Sequence, residues 1–102
     1  MATLEEITDK FREAVGADSG LGRSVKFILK GDGVVRIDGG TVSNDDTPTD
    51  LTLTLTRADL EAIGEGRLNA MTAVMTGRLK VSDMTMALQT QSRLQALFER
   101  VG

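Results

Sequence analysis

Cysteine and histidine are absent from this 102-residue chain, as are tryptophan and tyrosine, and Pro48 is its single proline. Without cysteine there is no disulfide framework and no thiolate zinc site. Without histidine the commonest general base and the commonest transition-metal ligand are missing, so Ser-His-Asp and Cys-His chemistry cannot be assembled within the chain. Only carboxylate or lysine chemistry remains for an enzyme, and residues 50–83 supply no nucleophile paired with a base. The expectation is a non-enzyme with no catalytic residue, no metal site and no cofactor. Phe11, Phe27 and Phe98 are the only aromatic residues, and the net charge is −3. Few stacking platforms and no basic cluster speak against a nucleic-acid partner. No apolar run approaches the roughly 18 residues of a membrane span, and the acidic start MATLEEITDKF lacks the basic and apolar regions of a signal peptide. These absences lead to the expectation of a cytoplasmic protein with at most transient membrane contact.

What is present is a regular alternation of periods. The length suits one domain, 1–102, with a single core. Leu4, Ile7, Phe11 and Val15 lie at helical spacing, and Thr3 with Glu6 has the spacing of a capping box, so a helix is predicted from Thr3 to about Val15. Gly16, Asp18, Ser19, Gly20 and Gly22 then read as a loop. Val25, Phe27 and Leu29 alternate with lysines, Gly31-Asp32-Gly33 makes a hairpin turn, and Val35 and Ile37 continue the partner strand. A short strand near Thr41 to Asn44 and a polar loop around Pro48 follow, and the predicted arrangement is an antiparallel meander of four strands.

The stretch DLTLTLTRADLEAIGEGRLNAMTAVMTGRLKVSD, residues 50–83, carries the most information. Leu51, Leu53 and Leu55 alternate with threonines, so one strand face is apolar and the other polar. Leu60 and Ile63, then Leu68, Met71 and Met75, shift to helical spacing. Thr56 with Asp59 repeats the capping-box spacing, Gly77 suits a helix C-cap, and Leu79 to Val81 returns to strand. Asp83 then caps a final helix running to about Arg100, with Ala87, Gln91, Leu94, Phe98 and Val101 on one face.

Several residue groups invite chemical readings. Asn44-Asp45-Asp46 lacks the spacing and closing glutamate of a calcium loop and reads as a solvated turn. Gly31-Asp32-Gly33 has neither the Lys-Ser/Thr ending nor the following helix of a phosphate loop. Arg78 and Lys80 read as a solvent face, with an alternative role in holding an anionic ligand group. Met71, Met75, Met84 and Met86 serve either as core filler or as the lining of an adaptable apolar cavity. Gln89, Gln91 and Gln95 read as exposed, with Gln91 on the apolar face able to meet a ligand polar group.

Three segments, VKFILKGDGVVRIDGG, DLTLTLTRADLEAIGEGRLNAMTAVMTG and GRLKVSDMTMALQTQSRL, together resemble the sterol carrier protein 2 family from about Val25 to Leu97. The last is the most specific. The family pattern of Gly-Lys/Arg-Leu-Lys-Val, then Gly-Asp/Asn-Met/Leu, is matched by Gly77, Arg78, Leu79, Lys80, Val81, Asp83 and Met84. A family glycine before the acid is missing, because Ser82 runs directly into Asp83, and this shortening is expected to tighten the start of the last helix. The ending Arg100-Val101-Gly102 differs from the Ser-Lys-Leu-like signal of peroxisomal members.

The resemblance implies an α+β fold, an about five-stranded, mainly antiparallel sheet with helices packed on one face. It also implies noncovalent binding, and transfer, of a sterol, fatty acid or fatty acyl-CoA in an apolar cavity between sheet and helices. The residues expected to line it are Phe27, Leu53, Leu55, Leu60, Ile63, Met71, Met75, Met84, Leu88, Gln91 and Leu94, with the final helix as a movable wall. The competing reading is a non-catalytic interaction or oligomerisation module with a closed core, whose helix face Ala87, Leu94, Phe98 and Val101 meets a second copy or another protein. A homodimer is compatible with that reading.

Overall fold

The computed structural model describes residues 3–16 and 20–101. The helix α1 (Leu4–Val15) is followed by strands β1 (Val25–Leu29), β2 (Gly33–Asp38), β3 (Thr41–Ser43) and β4 (Leu51–Leu55). Then come α2 (Arg57–Gly64), α3 (Ala70–Met75), β5 (Lys80–Val81), α4 (Met84–Gln89) and α5 (Gln91–Val101). The expected loop after α1 falls partly outside the described residues, at Asp18 and Ser19.

Five strands form one sheet in the order β3-β2-β1-β4-β5. Three pairings are antiparallel, but β1 and β4 run parallel, with Phe27 opposite Leu53. The four strands are therefore not a simple meander. After β3 the chain crosses to the far side of β1 instead of adding β4 beside β3. Residues 44–50 make this crossing, and seven residues reach at most about 25 Å, enough to pass three strand spacings of about 14 Å in total. Side chains hold the crossing in place. Lys26 projects from the sheet face opposite the helices and pairs with Asp46 at 2.8 Å, and it also donates to the Thr47 carbonyl at 3.3 Å. Asp50 accepts from the Ser24 backbone N–H at 3.1 Å, while the Ser24 hydroxyl accepts from the Asp50 N–H at 2.9 Å. That reciprocal pair sets the parallel register one residue ahead of Val25 and Leu51. Asn44 and Asp46 are thus structural ties: Asn44 Nδ2 donates to Thr8 Oγ1 and to the Val34 carbonyl at 2.9 and 2.8 Å.

The alternation read from the strands appears as rows across the helix-facing side, such as Val35, Phe27, Leu53 and Val81. Helices α1 and α5 pack over these rows, and all three aromatics meet there. Phe27 lies tilted against Phe11 at 4.9 Å between ring centroids and edge-on to Phe98 at 5.7 Å. Aromatic burial of this kind ties one residue from α1, one from β1 and one from α5 into the centre of the core. The Arg100 side chain donates to the Ala14 carbonyl at 3.2 Å, linking α5 to the last turn of α1.

The predicted caps are present. Thr3, Thr56 and Asp83 accept from the backbone N–H groups of Glu6, Asp59 and Met86 at 3.2, 3.1 and 3.0 Å. Asn69, whose capping role was not anticipated, accepts from Met71 and Thr72 and moves the start of α3 to Ala70. The helix ends at Gly77, at φ +77°, where the Arg78 N–H reaches the Ala73 carbonyl at 2.8 Å and the Gly77 N–H that of Val74 at 3.2 Å. This is the Schellman pattern, which places its left-handed residue where glycine bears no Cβ penalty. Gly33 carries a different constraint: at φ +141° its missing Cβ leaves room for Leu4, whose nearest methyl would lie 2.6 Å away.

A candidate apolar binding site

The final helix expected from Asp83 to about Arg100 is not continuous. It divides at Thr90, whose buried hydroxyl bonds the Met86 carbonyl at 2.9 Å instead of remaining in water. On the C-terminal side, α5 is anchored by Leu94, Leu97, Phe98 and Val101, all buried. On the other side, α4 has six residues and none of them is buried.

Under α4 lies an apolar pocket. Its floor is Leu53 of β4 with Leu79 and Val81 around β5. One wall is Ala70, Met71 and Val74 of α3, another is Met84, Ala87 and Leu88 of α4, and the third is Gln91, Leu94, Gln95 and Phe98 of α5. The lining contains no charged side chain, and its only polar side chains are Gln91 and Gln95, one helical turn apart. The cavity volume is about 40 Å³. A single water needs about 10–15 Å³ by this measure, so the space is a narrow seam in its present form. A broader concavity of about 470 Å³ between Arg23, Ser24, Asp38 and Asp50 is polar, and both of its carboxylates are already engaged. Asp50 is committed to Ser24, and Asp38 lies 3.6 Å from Arg36.

Of the residues anticipated from sequence, the structure brings Leu53, Met71, Met84, Leu88, Gln91 and Leu94 together in this lining. Phe27, Leu55, Leu60 and Ile63 lie elsewhere, fully enclosed in the packed core. Phe11 and Phe98 close over Phe27, and α2 packs on α5 over the neighbouring end of the sheet. Met75 does not line the pocket either and is 84% exposed on α3. Ala70, Val74, Leu79, Val81, Ala87, Gln95 and Phe98 are the lining residues that sequence reasoning missed. Val74 and Ala70 are one helical turn apart, and Leu79 and Val81 alternate across the entry to β5, so the signal was present for those four. Arg78 and Lys80 are exposed outside the lining.

The Ser82-Asp83 junction, where a residue is missing relative to the family pattern, is closely tied. The Ser82 N–H donates to the Thr52 carbonyl at 3.0 Å, and the Ser82 hydroxyl accepts from the Thr52 N–H at 2.9 Å. A side-chain oxygen thereby prolongs the β4–β5 ladder, and Asp83 begins α4 at the next residue.

A profile of the SCP-2 sterol transfer family matches residues 7–95, which include every element from β1 to α4 and every strand that positions the pocket. The chain belongs to the SCP-2 sterol transfer family. No curated protein matches it by sequence. Among solved structures it is similar to a sterol carrier protein 2 at 14% identity and TM-score 0.72, over 93% of this chain and 92% of that one. It is similar to sterol carrier protein 2 from Yarrowia lipolytica at 21% identity and TM-score 0.68, over 94% and 89% of the two chains. A stereoselective inverting sec-alkylsulfatase from Pseudomonas sp. is similar at 23% identity and TM-score 0.53, over 90% of this chain but only 14% of the larger enzyme. The SCP-2 fold thus also occurs as a small part of a larger enzyme. Among the described residues no group of three or more acids is arranged to hold a metal ion, and no helix is long and apolar enough to cross a membrane.

Proposed function

We propose that this SCP-2 family chain holds a lipid noncovalently and without catalysis, its tail in the pocket bounded by β4, β5, α3, α4 and α5. The observation that carries this reading is the lining itself, which is apolar apart from two amides and carries no charge. Burial of an apolar tail contributes roughly 0.8 kcal/mol per methylene, reduced by the ordering of a flexible chain.

A tail needs more room than the seam provides, so one wall has to give way. The wall that yields is α4. It lacks buried side chains, whereas α5 is held by four buried residues and cannot part from the sheet without opening the core. Methionines 71 and 84 face each other's walls, and their unbranched thioethers repack around tails of different shape. The head group is expected to be neutral, because a carboxylate drawn into this lining would lose water without meeting a cation. Gln91 and Gln95 can donate to a carbonyl or accept from a hydroxyl at the mouth.

The rival interaction-module reading loses the surface it relied on. Leu94, Phe98 and Val101 are buried within this chain and cannot meet a second copy, and Ala87 is turned to the pocket. The test is a titration of delipidated protein with a fluorescent fatty alcohol and the matching fatty acid, alongside native mass spectrometry of the purified protein. Saturable one-to-one binding that favours the alcohol at neutral pH is expected. Absence of saturable binding by either ligand, with no co-purifying lipid, overturns the proposal.

A further inference from the structure

Four of the chain's five methionines lie between residues 71 and 86, and the chain has no cysteine, histidine, tryptophan or tyrosine. Their thioethers are therefore the side chains most open to a mild two-electron oxidant. Two of the four belong to the pocket, Met71 on the α3 wall and Met84 on the α4 wall, and no other lining residue carries sulfur. Met84 is 41% exposed, so its side chain stands at the boundary between the lining and water. Met71 is half-buried on the other wall. The remaining two supply comparisons inside the same molecule. Met75 is 84% exposed and outside the lining, whereas Met86 is half-buried against the core and also outside it.

We infer that Met84, together with Met71, is a sulfoxidation site through which a hydroperoxide lowers the pocket's hold on an apolar tail. This control rests on the pocket holding a lipid, as proposed above. The step balances without a metal or cofactor. A thioether lone pair attacks the terminal oxygen of the hydroperoxide, the S–O bond forms and the O–O bond breaks. The departing oxygen takes the proton of the transferred one and leaves as an alcohol, or as water when hydrogen peroxide is the oxidant. Sulfur is oxidised by two electrons and the peroxide is reduced by two. The product replaces a flexible apolar side chain with a polar, chiral one. Here the new S–O dipole faces a lining whose only polar side chains are Gln91 and Gln95. With a tail in place the sulfoxide is cut off from water, and enclosing one poorly paired polar group weakens binding roughly ten-fold or more. Turning the Met84 sulfoxide out to water instead removes part of the apolar wall, and α4, with none of its six residues buried, does not resist that movement. Either way the oxidised pocket loses affinity, and methionine sulfoxide reductases restore it.

The test treats the full chain with hydrogen peroxide and, separately, with a long-chain alkyl hydroperoxide. Trypsin separates the Met71 and Met75 pair from the Met84 and Met86 pair, and fragmentation in the mass spectrometer assigns the added oxygen within each. Hydrogen peroxide should modify Met75 and Met84 ahead of Met71, following their exposure. The alkyl hydroperoxide, carried in the pocket, should modify Met84 and Met71 ahead of Met75. Affinity of the oxidised parent for the fluorescent fatty alcohol should fall roughly ten-fold or more and recover after treatment with methionine sulfoxide reductases of both stereospecificities. Met75→Leu should lose the same factor on oxidation. Met71→Leu with Met84→Leu, compared with its own untreated form, should bind equally before and after treatment. Met84 left unmodified while Met75 is fully oxidised overturns the inference, as does an equal loss of affinity in the double leucine variant. Loss of a cooperative thermal melt in the oxidised parent also overturns it, because general unfolding then explains the lost binding. Failure of the untreated chain to bind would refute the pocket reading, and binding that survives complete oxidation of Met84 and Met71 would refute the sulfoxide control alone.

Discussion

Phe98 belongs to the core and the pocket at once, so its truncation reports on both. It is 2% exposed, meets the edge of Phe27 at 5.7 Å and forms part of the α5 wall. Phe98→Ala removes the ring and leaves a void continuous with the existing seam. Large-to-small changes of this kind cost about 3–5 kcal/mol, the lost aromatic pair included. A chain near 100 residues loses about 5 °C of Tm per kcal/mol, so the melting midpoint should fall by about 15–25 °C. Because the void is apolar it stays dry, and a lipid tail is the natural occupant. The bound lipid should therefore raise the Tm of Phe98→Ala by more than it raises that of the parent chain. Ligand at a hundred times Kd supplies about 2.7 kcal/mol even without a gain in affinity. Leu97→Ala is the matched control: Leu97 is also buried on α5 but does not line the pocket, so a loss of about 2–5 kcal/mol should come with no extra rescue. Differential scanning calorimetry and urea titration, each with and without a fatty alcohol, read these quantities. A fall of under about 5 °C would refute the role of the aromatic cluster in holding α5. Equal rescue of the parent, Phe98→Ala and Leu97→Ala would refute the continuity of the pocket with the core.

The remaining predictions concern the elements that position the site. Asp83→Ala should cost about 0.5–2 kcal/mol through the lost cap, with faster amide exchange confined to residues 84–89, which hydrogen exchange by mass spectrometry resolves. Gly33→Ala should cost about 1–3 kcal/mol, because φ +141° strains an L residue and the new methyl meets Leu4, and urea titration measures it. Asp46→Ala should cost about 1–2 kcal/mol, since Lys26 keeps only the Thr47 carbonyl. Replacing the pair by Lys26→Met with Asp46→Ala should recover most of that loss, since an apolar side chain serves a mostly buried position without a charge to satisfy.

The sequence was legible where neighbours along the chain decide the outcome. Alternation in LTLTL and helical spacing in α1 identified faces correctly, because a strand or helix places its side chains by its own geometry. Caps at Thr3, Thr56 and Asp83 and the Gly77 terminus were legible for the same reason: each bond spans only a few residues. The family resemblance was carried by local motifs as well.

Contacts between distant residues were another matter. The parallel placement of β4 depends on Ser24 meeting Asp50 and Lys26 meeting Asp46, partners twenty or more residues apart that no local period announces. The division of the last helix at Thr90 was hidden because an apolar face runs through the break. Periodicity told which residues turn inward, yet an inward side chain can face either another side chain or a space. Phe27, Leu55, Leu60 and Ile63 face packed neighbours, while Leu53 and Leu94 border the seam. The chain thus encodes locally which elements form and which faces are apolar. Only the packing of three phenylalanines over the centre of the sheet decides where the interior is filled and where, beneath a helix with no buried residue, it can open.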